Sequence, residues 1–463
     1  MDAIFEMTRT LANTRYEQLP EKAIDMTKKS ILDTLAVTLA GSTVGAGCRE
    51  LVELVHEGGG KAESSIVGFG GKVPAWMAAF ANGAMSHSLD FDDVDDSAAV
   101  HPGVGTVPPG FAMAERIGSV SGKEFLTAVC LGADMLLRLG FAGKKGQGTF
   151  KWLPGQLYGS YGATAVCGRL LKLSEEQMVD AFGIALMQTS GSYEPIRGTG
   201  SVIRGLWPAF TSKTGVLSAL MAHKGISGSK NSLEGDAALF QSYLGGVYDR
   251  APLVEGLGER FLITESGFKP WPCSAIAKPY IEATLKLVQE HEIRPQDIEE
   301  VVVTVADMAN LLCEPLPVRQ NPQTPMDAKW SIPFAVGVAA LRRKVTIGDF
   351  TPSGIQDAEV LRIARKVRAR FDAQLAPAGR GWTGVPPGVV EIRTQKGCFS
   401  KRIDVALGYG SNPMSREQHV EKFKDCASYS AKKLSEADID RVIDLIDHLE
   451  DVQDVGEIVR ILA

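Results

Sequence analysis

The chain has 463 residues, of which 44% are apolar and 22% are charged. This composition is typical of a folded globular protein and excludes a disordered one. Lys and Arg total 49 against 55 Asp and Glu, a formal net charge of −6, which argues against a dedicated nucleic-acid binder because neutralising phosphates needs clustered cations. At roughly 150 residues per domain, the length predicts two or three domains.

The first residues and the cysteines favour a cytoplasmic protein. Residues 1–6 contain neither a basic region nor a long apolar run, so we expect no signal peptide. We also expect no membrane association, because no uninterrupted apolar stretch reaches the ~18 residues of a membrane span. The seven cysteines are scattered and none forms a C-x-x-C pair, which favours reduced thiols over disulfides or a zinc site.

The first half of the chain predicts helices almost throughout. Apolar residues recur at three- and four-residue spacing after Pro20, and Gly41 is expected to end this helix. Capping boxes at 121–124 and 174–177 precede two further apolar runs. The expected helices are 24–39, 125–139, 178–187 and 210–224. Their many Ala and Gly residues and few charges indicate burial on several sides.

The character of the sequence changes near residue 265. The expected strands are 300–305, 388–393 and 402–407, and the expected helices are 326–343, 355–371, 415–428 and 435–450. We therefore predict a fold that is mainly α with an inserted α+β domain. A large helical domain would be made from both chain ends, residues 1–264 and 408–463, and a smaller α+β lid domain from residues 265–407.

An acidic stretch is the strongest candidate for chemistry. Residues 87–96 read His-Ser-Leu-Asp-Phe-Asp-Asp-Val-Asp-Asp, and His101 follows. The crowded carboxylates repel one another, and burial would raise their pKa values. Because Leu89 and Phe91 are expected to face inward, part of the stretch should be buried, which is costly unless the acids are used or paired. We favour a functional site here over a solvated acidic turn.

The same stretch leaves a metal site open as an alternative. Asp92, Asp93 and Asp96 spell D-D-x-x-D, which in helical proteins such as prenyl synthases binds Mg²⁺ and a diphosphate. This interpretation needs a second acidic cluster on a facing helix, and outside this stretch the sequence has no Asp-Asp pair.

Two glycine-rich patches could bind anions. Residues 144–152, followed by 158–162, place glycines before a helix, which suits an anion site or a flexible loop. Residues 197–204 combine glycines with arginines, and Lys213 follows. Arginines beside glycines suit carboxylate binding, and a solvated surface loop is an equal alternative.

A rigid turn at 269–274 presents a lysine. Pro270 and Pro272 fix the backbone around Lys269, at the expected domain boundary, so we expect this lysine to face a cleft. Cys273 could be a reactive thiol at a helix start, but we favour a buried structural cysteine.

Taken together and in this order, these motifs resemble the MmgE/PrpD family, whose members include 2-methylcitrate dehydratase, cis-aconitate decarboxylase and iminodisuccinate epimerase. The resemblance rests on His-Ser-Leu-Asp-Phe-Asp-Asp at 87–93, His-Pro at 101–102, Gly-Ser-Tyr-Gly-Ala at 159–163, Lys-Pro-Trp-Pro-Cys at 269–273 and Asp-Ala-Lys-Trp-Ser-Ile-Pro at 327–333. It implies a helical domain with an α+β lid, an active site between them, a homodimer and no metal.

The resemblance also implies site residues. Asp90, His101 and Lys269 match positions that the family uses at its active site. Three other positions differ, because many members have Thr, His and Lys where this chain has Val94, Leu153 and Arg204. The first two differences remove a hydroxyl and an imidazole, both proton-handling groups.

We therefore expect an enzyme that acts on a small di- or tricarboxylate by taking a proton from a carbon next to a carboxylate. His101 is the expected acid and base because an imidazole titrates near neutral pH, and Asp90 would orient it or share the proton transfer. Lys269 and Arg204 would supply positive charge for the developing anion. The further expected substrate ligands are Asp93, Lys213 and Ser274.

A metal-independent lyase without a cofactor, first of all a dehydratase, is the expected activity. An epimerase of a dicarboxylate is the next alternative, because it uses the same proton abstraction without a leaving group. A Mg²⁺-dependent enzyme similar to prenyl synthases and a non-enzymatic carboxylate-binding protein are the remaining alternatives. The expected partners are the small polycarboxylate and a second copy of the chain, with no nucleic acid and no membrane.

Overall fold

Helix starts in the first half coincide with the capping boxes of the sequence. Ser121 Oγ accepts a hydrogen bond from the backbone N–H of Glu124 at the start of the helix Gly122–Gly143. Ser174 caps the helix Glu175–Leu186 in the same way. Both predicted helix starts are therefore confirmed, because a side-chain acceptor satisfies backbone donors that have no partner within the helix.

The computed structural model describes residues 1–146, 151–197, 201–306, 308–375 and 385–463. The protein is mainly α with a small amount of sheet, as predicted. The chain divides into two compact units. The first is Met1–Ser266 with His419–Ala463, and the second is Gly267–Gln418.

The helices, in chain order, are α1 Ile4–Asn13, α2 Glu21–Val44, α3 Cys48–Gly58, α4 Ala75–His87, α5 Pro102–Ile117, α6 Gly122–Gly143, α7 Pro154–Leu170, α8 Glu175–Leu186, α9 Glu194–Arg197, α10 Trp207–His223, α11 Leu239–Leu244, α12 Ala251–Val254, α13 Lys278–Glu290, α14 Met308–Leu311, α15 Leu316–Arg319, α16 Pro325–Lys329, α17 Ile332–Arg342, α18 Ala358–Ala364, α19 Arg416–Ala427, α20 Glu436–Asp447 and α21 Gly456–Leu462. The strands are β1 Ser64–Ser65, β2 Lys72–Val73, β3 Ile298–Val305, β4 Val367–Phe371, β5 Gly388–Thr394 and β6 Gly397–Ile403.

The first unit is built around α4, α5, α7 and α10, which pack against one another, with α6 against α7. Small residues let these helices approach closely: a Cβ on Gly215 of α10 would lie 2.4 Å from the Cβ of Ala163 on α7. The last turns of α4 lie against the start of α10, since a Cβ on Gly83 would lie 2.6 Å from the carbonyl oxygen of Pro208. Side chains at these two helix ends therefore share one place in the core.

The second unit contains a four-stranded sheet in the order β4-β3-β5-β6. β3 pairs with β4 in parallel and with β5 antiparallel, and β5 and β6 form an antiparallel hairpin. α13 packs on β5 and β6 and also against α17. The sheet and these helices enclose one apolar core, to which β3 contributes Val301, Val303 and Val305.

Two predictions within the second unit were wrong in detail. The expected helix 355–371 ends at Ala364, and the residues after it form β4, which pairs with β3 from Val301↔Val367 onward. The expected strand 402–407 is displaced toward the N-terminus, because Thr394 and Gly397 already pair across a tight turn and β6 begins there. In both places pairing with the neighbouring strand determines which residues form a strand. A local sequence pattern does not show which strands pair across a sheet.

The predicted return to the helical part at residue 408 differs from the observed division. Residues 408–418 belong to the second unit. The backbone N–H of Phe268 donates to the carbonyl of Gly408 (2.9 Å), and Asn412 Nδ2 donates to Glu282 Oε1 on α13 (3.1 Å). These bonds tie the segment to the second unit up to the start of α19.

Among the described residues, one helix has the length and composition of a membrane span. Residues 122–146 contain an 18-residue window with a mean hydropathy of 1.6, and 94% of that window is buried inside the protein. The window is apolar because α6 is covered by its neighbours. Its charged pair, Asp134 and Arg138, is buried as well, with Nε and Oδ2 2.6 Å apart. Such burial is typical of a core helix.

Candidate active site

The stretch between α4 and α5 folds back on itself. α4 ends at His87, and His101 is the N-cap of α5. Asp90 is left-handed, with φ of 52°, and its backbone N–H donates to the carbonyl of His87 (2.9 Å). Asp95 and Val100 exchange two backbone hydrogen bonds of 2.9 and 3.2 Å. This fold-back returns His101 to the end of α4, where its ring centroid lies 4.6 Å from that of His87.

Asp92 lies between the two imidazoles. Its Oδ1 accepts a hydrogen bond from Nδ1 of His87 (2.8 Å), and its Oδ2 lies 2.6 Å from Nδ1 of His101. Burial alone would raise the pKa of this carboxyl, but the two imidazoles outweigh burial and hold the pKa of Asp92 well below its ordinary value. Asp92 is therefore a buried carboxylate with an imidazole at each oxygen.

The contacts of His101 determine which of its nitrogens exchanges protons. Nδ1 points its hydrogen at the carbonyl oxygen of Asp93 (3.0 Å), and the carboxylate of Asp92 contacts the same nitrogen. A carbonyl and a carboxylate only accept hydrogen bonds, so Nδ1 carries a hydrogen whether the ring is neutral or charged. Nε2 is therefore the nitrogen that gains or loses a hydrogen when the ring of His101 changes its charge.

His87 is held by the same carboxylate but is more deeply buried. Its side chain is 9% exposed, against 18% for His101. Burial lowers the pKa of His87 against the opposing pull of Asp92, so the ring is neutral near pH 7. Trp207, the first residue of α10, packs edge-on against His87 with ring centroids 5.1 Å apart and lies 6.1 Å from His101.

Asp93, expected to bind substrate, is instead engaged with the start of α5. Its two carboxylate oxygens accept the backbone N–H of Gly103 at 2.9 and 3.1 Å, and Oδ2 also accepts the hydroxyl of Ser30 (2.6 Å). Burial, together with the nearby carboxyl of Asp33, raises the pKa of Asp93 to about 7. The carboxyl of Asp93 thus positions the helix that carries His101 at its N-cap.

We expect the raised pKa of Asp93 to appear as a pH-dependent difference in stability between the wild type and Asp93→Asn. Because the folded pKa lies above the ordinary value of 3.8, the folded state favours the protonated carboxyl. The stabilisation from this proton is complete below the ordinary pKa and is lost as the pH rises through about 7. Asn does not ionise, so the variant does not lose this stabilisation. As the pH rises through about 7, its free energy of unfolding should therefore increase relative to that of the wild type.

Urea unfolding of both proteins at about pH 5 and about pH 8 measures this difference. Other titrating groups are common to both proteins and cancel. If the difference in the free energy of unfolding between the two proteins were the same at both pH values, the prediction would be contradicted.

Arg204 lies beside the fold-back stretch. It is half-buried in the 3₁₀ turn Val202–Gly205 that precedes α10. A Cβ on Gly205 would lie 3.3 Å from Cα of Ser88, so this turn packs against the residue that follows His87. The turn that carries Arg204 therefore lies beside the stretch that carries Asp90 and His101.

Lys213 is not brought to the imidazoles. Its ammonium lies over the rings of Phe80 and Phe210, 5.5 and 6.0 Å from their centroids. Phe80 precedes His87 by two turns of α4, which corresponds to about 10 Å along the helix. The position of the Lys213 ammonium does not support the expected contact with a substrate at His101.

Lys269 and Ser274 lie in the second unit and are 2% and 5% exposed. The backbone N–H of Ser274 donates to the carbonyl of Lys329 (3.0 Å), and Nζ of Lys278 donates to the carbonyl of Phe268 (3.3 Å). The backbone on both sides of the turn that presents Lys269 is thus held by hydrogen bonds. Buried ammonium groups are uncommon without a role, so the burial of Lys269 is consistent with the functional role expected of it.

Further positions considered in the sequence are Cys273, Val94, Leu153 and the two glycine-rich patches. Cys273 is fully buried, as expected for a structural cysteine. Val94 is 4% exposed, and Leu153 is the N-cap of α7. Of the two glycine-rich patches, residues 147–150 and 198–200 lie outside the described residues.

Among the residues that the structure describes, His87, Asp92 and His101 are the group whose atoms converge as metal ligands would, all within 4.8 Å of one another. In the structure, Nδ1 of both imidazoles contacts the carboxylate of Asp92, as in a hydrogen-bonded cluster. The D-D-x-x-D alternative lacks support, since Asp92 contacts the imidazoles while Asp93 binds Gly103. The two neighbouring carboxylates do not form a shared pair of ligands.

Sequence reasoning missed Asp92, His87 and Trp207 as members of the site. His87 and Asp92 stand inside the recognised motif, but nothing in its spacing distinguishes Asp92 from Asp90 or Asp93. Trp207 begins a helix more than one hundred residues later, and only the packing of α10 on α4 places it at the imidazoles.

Comparison with known proteins identifies one family over most of the chain. The MmgE/PrpD N-terminal domain matches residues 6–250, and the MmgE/PrpD C-terminal domain matches residues 271–447. The chain is 24% identical over 458 residues to cis-aconitate decarboxylase of Homo sapiens, covering 96% of this chain and 91% of that protein. It is 23% identical over 475 residues to cis-aconitate decarboxylase of Aspergillus terreus (strain NIH 2624 / FGSC A1156), covering 98% and 95%.

A further relative is cis-aconitate decarboxylase of Mus musculus, 23% identical over 403 residues, covering 84% of this chain and 79% of that protein. Decarboxylases of this kind are lyases. Because the two family domains together match most of its length, the chain belongs to the MmgE/PrpD family.

Proposed function

We propose that the protein is a metal-independent lyase that acts on a small di- or tricarboxylate through proton transfer at Nε2 of His101. The observation that carries the proposal is the contact of Nδ1 of His101 with the buried carboxylate of Asp92, 2.6 Å away. A carboxylate at this nitrogen stabilises the imidazolium that forms when Nε2 takes a proton. An imidazole supported in this way suits a carbon acid next to a carboxylate.

Dehydration is the first reaction we propose. His101 takes a proton from the carbon next to a carboxylate, the C–H electron pair forms a double bond, and a hydroxyl on the neighbouring carbon leaves. The leaving hydroxyl needs a proton to depart as water, which the imidazolium of His101 or the carboxyl of Asp90 can deliver. Arg204, beside the fold-back stretch, would stabilise the negative charge that develops on the substrate.

Decarboxylation is the second candidate, favoured by the relatives, which are cis-aconitate decarboxylases. In that reaction a carboxylate leaves as CO₂, its electron pair stays on the carbon chain, and a carbon gains a proton. His101 would then begin as the imidazolium and donate from Nε2. The two candidates therefore need opposite charge states of the same residue at the start, which makes their pH dependence different.

The experiment is an assay of the full chain with a panel of polycarboxylates that includes cis-aconitate, citrate and 2-methylcitrate, in EDTA and D₂O. Loss of water with rate rising as His101 deprotonates supports dehydration, and release of CO₂ with rate falling over the same range supports decarboxylation. Deuterium uptake without either product would replace the lyase by an epimerase. Turnover that EDTA abolishes and Mg²⁺ restores, or no reaction with any member of the panel, would contradict the proposal.

Lys269 is proposed to bind a substrate carboxylate as an ammonium ion rather than to attack the substrate covalently. A charge-assisted hydrogen bond is worth about 1.5–3 kcal/mol, so Lys269→Ala should lower kcat/KM by about 10- to 100-fold. Lys269→Arg keeps the charge and should retain more activity than Lys269→Ala. Borohydride added during turnover should trap nothing, and mass spectrometry that finds a substrate-sized adduct on Lys269 would overturn this role.

A further inference from the structure

The carboxylate of Asp92 serves two imidazoles, and only His101 has a place in the proposed chemistry. His87 donates from Nδ1 to Oδ1 of Asp92 at 2.8 Å, and His101 contacts Oδ2 of the same carboxylate at 2.6 Å. The side chains of His87 and Asp92 are almost completely buried, at 9% and 0% exposure. Two imidazoles on one buried carboxylate is an arrangement that orientation of His101 alone does not require.

We propose that His87 is a positioning residue that holds Asp92 from the side opposite His101 and, by sharing the charge of this carboxylate, lowers the proton affinity of His101. A hydrogen bond from Nδ1 of His87 stabilises negative charge on Oδ1 of Asp92 and leaves less of that charge to stabilise an imidazolium at Oδ2. His101 then releases a proton more readily than it would beside an unshared carboxylate. The consequence for turnover rests on the proposed function, but the effect on proton affinity does not.

His87 is suited to this role because its own ring stays neutral. Burial lowers the pKa of His87 despite the opposing effect of Asp92, so the residue donates a hydrogen bond without adding a second full charge near His101. Its ring is fixed by edge-on packing against Trp207, with centroids 5.1 Å apart. Because burial and packing fix the position of the His87 ring, its hydrogen bond keeps the carboxylate of Asp92 in one orientation.

Among the described residues, charged groups of three elements interact with this cluster, and the turn before α10 carries Arg204 beside it. The fold-back stretch contributes Asp90 and Asp93 in addition to Asp92, and α2 contributes Asp33, which interacts with Asp92. α19 contributes Lys422, which neutralises Asp33 at 2.6 Å. These groups remain in every His87 variant below, so a change of His87 isolates the contribution of its hydrogen bond.

The test compares two variants of nearly equal shape. His87→Asn places an amide N–H close to where Nδ1 lies and keeps a donor for Asp92, whereas His87→Leu has a similar volume and no donor. The pKa of His101 is measured in the full chain by NMR titration of isotope-labelled histidines, with the signal of His101 assigned by its loss in His101→Ala. This readout needs no substrate, so its failure is distinct from a failure of the proposed function.

We expect the pKa of His101 to rise by about one unit in His87→Leu, a tenfold increase in proton affinity, and to stay close to the wild-type value in His87→Asn. His87→Phe, which keeps a ring against Trp207 and also lacks the donor, should repeat the rise and replaces His87→Leu if that variant does not fold. Asp92→Asn should shift the pKa in the opposite direction, because it removes the charge itself.

An unchanged or lowered pKa of His101 in the donor-free variants would overturn the proposal. A rise of equal size in His87→Asn and His87→Leu would overturn it as well, because the hydrogen bond would then not be the cause. Once a substrate is in hand, the pH profile of turnover should move with the NMR titration in His87→Leu, while KM changes little.

Discussion

Replacing His101 with alanine is expected to lower turnover by about 10²–10⁴-fold, the usual contribution of a general acid or base. Nδ1 of this residue contacts Asp92 and the carbonyl of Asp93, so the proposed proton transfer uses Nε2, which the variant removes. The measurement is turnover with the substrate found by the polycarboxylate panel. Circular dichroism and thermal melting would show that the variant folds, as expected for a side chain that is partly exposed, at 18%.

His448→Ala is the matched control. His448, the residue after α20, also pairs with an aspartate, with Nδ1 3.2 Å from Oδ1 of Asp444, but both side chains are more than half exposed. This variant should keep wild-type turnover. If His101→Ala retained turnover similar to that of His448→Ala, His101 would have no part in the chemistry and the proposed mechanism would fail.

Replacing Lys422 with methionine is expected to destabilise the protein by about 3–5 kcal/mol. Nζ of Lys422 lies 2.6 Å from Oδ1 of Asp33 and donates to the carbonyl oxygen of Phe91 (2.6 Å). The side chains of the pair are 3% and 0% exposed. Methionine fills the space but leaves the carboxyl of Asp33 buried without its cation. Urea unfolding measures the loss.

Lys424→Met, two residues further along α19, is the matched control. Nζ of Lys424 lies 2.9 Å from Oδ1 of Asp440, with both side chains more than half exposed, so its loss should cost less than about 1 kcal/mol. The double variant Lys422→Met with Asp33→Asn should recover part of the stability, because the unpaired buried charge is removed. Equal losses for Lys422→Met and Lys424→Met would contradict this account.

The pair of Lys422 and Asp33 also connects stability with the site. The carbonyl that Lys422 binds belongs to Phe91, the residue before Asp92, and the ammonium lies 3.9 Å from the centroid of the Phe91 ring. The C-terminal segment of the chain therefore holds the stretch that presents Asp92 to both imidazoles. A partly folded Lys422→Met should lose activity together with stability.

Local patterns predicted α2, α6, α8, α10, α19 and α20 of the first unit, because helix starts and apolar periodicity are encoded within a few residues. Gly41 shows where such a pattern fails. The sequence predicted that Gly41 ends its helix, yet α2 continues to Val44. A Cβ at this position would lie 2.2 Å from the carbonyl oxygen of Met85 on α4. Gly41 therefore allows α2 and α4 to pack closely, and the sequence of α2 alone does not show this contact.

The sequence by itself determined that residues 87–101 are special, because crowded carboxylates beside two histidines and inward-facing apolar residues are costly without a role. The tertiary structure decided which carboxylate does what. The left-handed turn at Asp90 and the pairing of Asp95 with Val100 bring the two histidine rings together. Asp92 then lies between them, while Asp93 points to the start of α5. These assignments depend on which groups lie within about 3 Å of each oxygen, and such distances arise only when separate segments of the chain pack together.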